Sequence, residues 1–287
     1  VIKVPGIIIP IIIILAVILA VYLFLVFPGR VTEEARAPFA GRNFAHRGLY
    51  DNDRGVPENS VAAFRAAMEA GYGCELDVQF TKDMQLIVFH DNDYKRACGV
   101  DKKVWELTLE EAKQLRLFGT GEQIPTFDEV LETVGGRNPL IVEIKAEELD
   151  MSWYSKLCEA TAERLSRYDG EWCLESFNPF VVRWAWKHIP GVTRGLLVGG
   201  MPKKGESLYF LKSLVAHLLM DFICRPQFIA YDHHDRNYAL KIAKGLGAFS
   251  VMWTVDSTAD HEVLEKEEDA IIFEHYLPDT HYSNYSR

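Results

Sequence analysis

From Asn43 onward the chain alternates short apolar runs with longer amphipathic stretches, and that alternation leaves few architectures open. The strand candidates are 43–46, 74–80, 86–90, 140–145, 172–177, 192–198, 228–231, 249–255 and 270–273. Helical patterns separate most of them. Asn59 or Ser60 caps the helix 61–70 and Gly71 ends it. Thr108 with Glu111 and Thr126 with Glu129 read as capping boxes, and 178–188 and 237–245 as further helices. Strand alternating with helix implies an α/β fold with a parallel sheet. Over about 230 residues the closed eight-stranded (β/α)8 TIM barrel is the leading form, with an open doubly wound sheet as the alternative. The Gly-rich phosphate loop of many open sheets is missing, since neither GxGxxG nor GxxxxGK[ST] occurs.

The candidates exceed eight by one, and the surplus lies at 74–90. Residues 81–85 are too few for a crossover between parallel neighbours, so the two strands there should form a hairpin. With Asp83-Met84 as a two-residue turn, paired positions sum to 167, and Asp77 faces His90 on the same side. The stretch of about 91–123 is longer than an ordinary barrel connection and carries one helix, 109–117. It reads as a small lobe inserted over the barrel mouth.

Ahead of the barrel, residues 7–27 carry no charge and, at about 1.5 Å per residue, span roughly 30 Å as a helix, the thickness of a bilayer core. The run is long for a cleaved signal peptide. The nearby Ala35-Arg36-Ala37 is followed by Pro38, a poor residue after a cleavage point. The expected organisation is a transmembrane anchor over 1–30, a linker over 31–42, and the barrel domain over 43–287. Lys3 before the span and Arg30, Arg36 and Arg42 after it lean the domain towards the cytoplasmic face, as do five scattered cysteines without a CxxC pair. The net charge of -10, with no basic stripe, excludes a phosphate-backbone binder, so nucleic acid is not an expected partner.

In "CELDVQF" the apolar Cys74, Leu76, Val78 and Phe80 alternate with Glu75, Asp77 and Gln79. An isolated strand of this pattern would show its polar side to water. A barrel strand has no wet face, so Glu75 and Asp77 would point inwards, where unpaired carboxylates are costly and a divalent cation removes the cost. Oxygen donors at i and i+2 suit magnesium or calcium. "LIVEIK" turns Ile141, Glu143 and Lys145 inwards; Glu143 and Lys145 either pair with one another or serve a metal and an anion. "VFHD" and "FAHRG" end strands in His90 and His46, with Arg47 beside the second. Two histidines near a metal-carboxylate cluster meet the needs of phosphodiester cleavage, and arginine clamps phosphate bidentately. Trp253 reads as core more often than as pocket wall unless it reaches the mouth, and Glu175 and Phe177 are ambiguous in the same way. The run 232–235 (Asp-His-His-Asp) reads as a solvated loop, because adjacent side chains should not converge on one ion. An apolar helix over 208–219 reads as core, with membrane contact as the alternative.

Taken together, "HRG" at 46–48, "PENS" at 57–60, "ELDVQFTKD" at 75–83, "FHD" at 89–91, "EIK" at 143–145, "SF" at 176–177 and "WTV" at 253–255 resemble the glycerophosphodiester phosphodiesterase family, in its order and across most of 43–280. The resemblance implies a phospholipase C-like phosphodiesterase barrel with an insertion after the "HD" strand. It implies one Ca2+ or Mg2+ on Glu75, Asp77 and Glu143, and His46 and His90 as the acid/base pair. Arg47 and Lys145 would hold the phosphate, and Glu58 would join the active site. Trp253 would line the alcohol pocket, with Phe177 also among the substrate contacts. The implied reaction is hydrolysis of a glycerophosphodiester to glycerol 3-phosphate and an alcohol, with the glycerol hydroxyl as a candidate first nucleophile. A lysophospholipase D-type enzyme acting on a membrane lysophospholipid, and an inactive anchored scaffold, are the alternatives. One departure is visible: where the family usually ends its last strand in a Thr-Asp pair, this chain has Phe273-Glu274 and a longer tail.

Overall fold

A computed structural model describes residues 8–146, 151–199, 201–205, 208–283 and 285. The strands are β1 (Arg42–Ala45), β2 (Gly73–Phe80), β3 (Leu86–Val88), β4 (Leu140–Ile144), β5 (Trp172–Ser176), β6 (Arg194–Val198), β7 (Phe228–Asp232), β8 (Phe249–Val255) and β9 (Ala270–Phe273). The helices are α1 (Ile8–Val26), α2 (Glu33–Arg36), α3 (Val61–Ala70), α4 (Lys95–Cys98), α5 (Leu109–Ala112), α6 (Phe127–Val134), α7 (Met151–Leu165), α8 (Pro179–His188), α9 (Tyr209–Ala216), α10 (Asp221–Cys224), α11 (Tyr238–Gly245) and α12 (Thr258–Glu267). The strand order is β1-β9-β8-β7-β6-β5-β4-β2, and β1 also pairs with β2, so eight parallel strands close into the expected (β/α)8 barrel. β3 lies antiparallel on β2 outside the ring, which accounts for the ninth strand.

Closure gives each strand two buried faces. Cys74, Leu76 and Val78 pack outwards with Phe64, Val142, Leu174 and the helices in one core. Phe44, Ile141, Cys173, Phe228, Phe249 and Ile272 fill the barrel interior, with Phe39 among them. Gly195 on β6 has no side chain for a reason of space: a Cβ there would meet the Phe228 ring at 2.0 Å. A third core, including Ile87, Phe89, Tyr94, Val104, Leu117 and Ile124, belongs to the inserted lobe, which therefore has its own apolar support.

Local signals placed several ends correctly. Ser60 caps α3 by accepting from Ala63 N, Gly71 ends it at φ 84°, and the capping boxes at Thr108 and Thr126 are both formed. Three expectations need correction. The hairpin pairs Val78 with Val88 and Phe80 with Leu86, so paired positions sum to 166, not 167. The loop has three residues because Met84 adopts φ 57° and donates its N–H to Thr81 O, while Thr81 Oγ1 bonds to Asp83 and Gln85. Asp77 therefore lies opposite Phe89, whose N–H donates to Asp77 O, and not opposite His90. The helix expected over 109–117 is only the turn α5, followed by a 3-10 turn at Leu117–Gly119. The segment 31–42, read as a linker, is folded: α2 lies in it, Arg36 pairs with Asp269 at 2.7 Å, and Phe39 is buried. Lys3 and Ile7 lie outside the described residues.

Candidate active site

The barrel register lines up acids across three neighbouring strands. Asp77 on β2 pairs with Glu143 on β4, and Glu143 pairs with Glu175 on β5, so three carboxylates share one level of the interior. Glu75 points in one level below Asp77. All four are buried. Donor oxygens of Glu75, Asp77 and Glu143 lie within 4.8 Å of one another. Burial and the neighbouring charges of Asp77 and Glu143 push the Glu75 carboxyl well up, and burial carries Glu143 up to about 7 against the pull of Lys145. Asp77 goes the other way: burial opposes its charge, but Lys145, His90 and Arg47 and a hydrogen bond from Asn59 hold it well below the usual carboxylate range. Lys145 Nζ sits 3.0 Å from Glu143 and 3.4 Å from Asp77 Oδ1, yet that oxygen accepts no hydrogen bond. An all-oxygen, buried, over-acidic set with an orphaned oxygen fits a hard divalent cation such as Mg2+ or Ca2+.

Two histidines flank this set, each held by a carboxylate. His46 follows β1; its Nδ1 is 2.7 Å from Glu274 Oε2, and its Nε2 faces Glu75 at 3.9 Å. Glu274 also accepts from Tyr50 Oη at 2.8 Å. Burial lowers the His46 pKa and the Glu274 hydrogen bond opposes it. His90 lies beyond the end of β3, so the corrected register does not remove it from the pocket. Gln79 Nε2 donates to the carbonyls of Phe89, His90 and Asp91 and fixes that exit, while His90 Nδ1 lies 2.7 Å from Asp91 Oδ1.

The turn after His46 brings in the basic group. Arg47 has φ 55° and donates its backbone N–H to Glu75 Oε2. Gly48 follows at φ 80°, where a Cβ would meet the Ala63 backbone at 2.9 Å. Arg47 Nη1 bonds Glu58 at 2.8 Å, and its Nε, 3.7 Å from Asp77, has no hydrogen-bond partner. Glu58 is also gripped through both oxygens by Arg96 of the lobe, at 2.7 and 2.9 Å. Burial works against the Glu58 charge, but Arg96 and Arg47 outweigh it and keep the carboxyl ionised. A carboxylate held from two sides positions its arginines; it is poorly placed to transfer protons. Asn59, an alternative helix cap by sequence, donates to Asp77 Oδ2 at 2.8 Å instead.

The pocket above the acids has a volume of about 270 Å3 and is lined by His46, Arg47, Glu75, His90, Glu143 and Glu175, with an apolar wall that includes Phe177, Leu197 and Trp253. Phe177 and Trp253 meet edge to face at 5.6 Å, and the Trp253 indole N–H is buried without a partner. Sequence reasoning did not assign Glu274, Arg96, Gln79 or Glu175 a role. A signal existed for Glu274 and Glu175, which lie just after or within strands near the C-terminal end of the barrel. Arg96 and Gln79 act through contacts that no local pattern announces. Asp232, His233 and His234 do bring donor atoms within 4.8 Å, contrary to expectation, because Asp232 caps the 3-10 turn His233–Asp235 by accepting from His234 N.

Residues 46–276 match the glycerophosphoryl diester phosphodiesterase family. A glycerophosphodiester phosphodiesterase of Caldanaerobacter subterraneus is 39% identical over 163 residues, which are 53% of this chain and 65% of that one. A human lysophospholipase D is 28% identical over 52% of this chain and 49% of its own length. The chain thus spans under two thirds of the length of these relatives. Among solved structures, an Oleispira antarctica phosphodiesterase in complex with sn-glycerol-3-phosphate superposes with a TM-score of 0.66 at 23% identity, covering 82% of this chain and 93% of that one. A Parabacteroides distasonis glycerophosphodiester phosphodiesterase gives 0.64 at 25% identity with the same coverage.

Proposed function

The chain belongs to the glycerophosphoryl diester phosphodiesterase family, and from that membership we propose that it hydrolyses glycerophosphodiesters to glycerol 3-phosphate and an alcohol. The observation that carries this reading is the convergence of Glu75, Asp77 and Glu143 within 4.8 Å, between two histidines each tied through Nδ1 to a carboxylate. Glu75, Asp77 and Glu143 would hold one Mg2+ or Ca2+, which when bound neutralises charge on a phosphoryl oxygen. Arg47, whose Nε makes no hydrogen bond, clamps the phosphate. Lys145 balances the acids and contributes positive charge beside it. One imidazole takes the proton of the attacking hydroxyl, and the other protonates the leaving alkoxide as the phosphorus–oxygen bond to the alcohol breaks. If the glycerol hydroxyl attacks first, the same pair acts in reverse roles when water opens the cyclic phosphate. The unpartnered Trp253 N–H and the Phe177 ring receive the organic part of the substrate.

A second reading, hydrolysis of a lysophospholipid, is favoured by the lysophospholipase D relative and by the apolar wall. Helix α1 is apolar and exposed along most of its length, which supports a single-span anchor, and the arginines that follow it support the cytoplasmic side for the barrel. The test is release of glycerol 3-phosphate from a soluble glycerophosphodiester with Mg2+ or Ca2+ added. Activity that survives excess chelator, or the Glu75→Gln/Asp77→Asn pair, defeats the metal assignment; a fully active His46→Ala removes that imidazole from the chemistry.

A further inference from the structure

The way α1 joins the barrel bears on where the substrate comes from. Residues 8–21 of α1 are exposed, and contact with the domain begins only at Tyr22 and ends in the fully buried Val26. That last stretch is fastened tightly. Arg225 Nη1 donates to the carbonyls of Phe24 at 3.1 Å and Phe27 at 2.6 Å, and its guanidinium lies over the Phe24 ring at 4.8 Å. Phe24 also packs against Phe222. Gly29 N donates to Pro226 O at 2.7 Å, in an approach so close that a Cβ on Gly29 would lie 2.4 Å from Arg225 O. Gln227 Nε2 donates to Arg30 O at 2.9 Å.

All of these barrel-side partners fall at 222–227, immediately before β7 opens at Phe228. They therefore sit at the N-terminal ends of the strands, the closed base, where Phe39 and Phe228 are buried. His46 follows the opposite, C-terminal end of β1, and the pocket that it lines together with His90 opens on that side. With strands of four to eight residues rising ~3.3 Å each, the mouth stands on the order of 15–25 Å from the base. The short connection after α1 is pinned at Phe27, Gly29 and Arg30, so it has no slack with which the barrel could turn over.

We propose that α1 seats the barrel base-down on the bilayer, so that the mouth opens away from the anchoring membrane and draws its phosphodiester from the aqueous phase instead of from lipid in that bilayer. This rests on the phosphodiesterase and anchor readings above and selects the water-soluble, deacylated diester as the substrate class. The apolar helix α9, with Phe210 exposed, offers the competing geometry: a barrel lying on its side with its rim against lipid.

The experiment uses the full chain in liposomes with Cys98→Ser, because the other four cysteines are buried. Single labels are placed at Gly191→Cys, between α8 and β6 on the base, and at Arg54→Cys and Phe210→Cys on the mouth side. Spin-labelled lipid head-groups should quench the Gly191 label and leave the other two close to their values in plain vesicles. Equal quenching at Arg54 or Phe210, or a chain that fails to float with vesicles, overturns the proposal. The activity arm compares a soluble glycerophosphodiester with a diester tethered by acyl chains in the same bilayer. The tethered substrate should be cleaved at least about ten-fold more slowly in vesicles than in mixed micelles, because geometry denies it the site; equal rates overturn the proposal. Absence of hydrolysis of either substrate in micelles would refute the phosphodiesterase reading, while the quenching pattern still decides the orientation.

Discussion

Replacing Glu274 by Gln tests the division of labour at His46. The carboxylate lies 2.7 Å from His46 Nδ1 and accepts from Tyr50, so it fixes the ring with Nε2 towards the acidic set. Glutamine keeps the volume and an acceptor but loses the charge. A hydrogen bond to a charged group is worth about 1.5–3 kcal/mol, so kcat should fall about 10- to 150-fold if the imidazolium forms in the rate-limiting step. KM for a soluble diester should move little, because Glu274 does not line the pocket wall where the organic part would rest. The pH profile gives a sign independent of magnitude. Burial already lowers the His46 pKa, while the hydrogen bond to Glu274 and its charge raise it, so a neutral amide in its place lowers the value further. Whichever limb of the kcat/KM profile belongs to His46 must shift to lower pH, whether the ring acts as base or as acid. A variant with near-wild-type kcat and an unshifted profile refutes the argument; so does a limb that moves to higher pH.

Arg96→Ala should lower kcat/KM about 10-fold by releasing Glu58 and Asp91 together, and Arg96→Lys should not restore it because the fork geometry is lost; steady-state kinetics checks both. Burial would raise the Glu274 carboxyl, but the hydrogen bonds from His46 and Tyr50 bring it down to about 2. Its stabilising contribution is therefore full above about pH 4.5 and is lost as pH falls towards about 2; the urea-midpoint gap between wild type and Glu274→Gln, on the order of 1–2 kcal/mol near neutrality after allowance for partial exposure, should close on acidification. Gly195→Ala should destabilise by about 1–3 kcal/mol in a denaturant titration, since the Phe228 ring has no room to yield inside a packed barrel.

Much of the site was legible because a barrel interior converts period-two patterns into geometry. Once β2 and β4 are known to have no wet face, Glu75, Asp77 and Glu143 must point inwards together, and the observed register bears this out. The hairpin failed by one residue for a physical reason: a left-handed backbone at Met84 makes a three-residue loop, and methionine carries no signal for that conformation. The error left the position of His90 intact, because the histidine lies past the last ladder pair and is set by Gln79. Glu274 was visible only as a departure from a pattern. Its role depends on a partner 228 positions away, brought close by the pairing of β1 with β9. Arg96 was hidden by position also, since an inserted lobe has no barrel periodicity from which to read a direction.

The two histidines are held by similar chemistry but depend on different parts of the fold. The carboxylate of His46 comes from the residue after β9, whose backbone N–H bonds Val255 O, and His46 N bonds Phe273 O. That arrangement exists only when the first and last strands close the ring. The carboxylate of His90 is its own neighbour, Asp91, steadied by Arg96 from the lobe. Arg96 also grips Glu58, which bonds Arg47, the residue next to His46. One chain of ion pairs therefore runs from the lobe to the turn beside the first histidine. The lobe is thus a working part of the mouth: its docking aligns Arg47 and His90 together, while barrel closure alone aligns His46. The proposed acid/base roles of His46 and His90 need a fixed distance between the two imidazoles, and that distance is set jointly by the closure of the ring and the seating of the insertion.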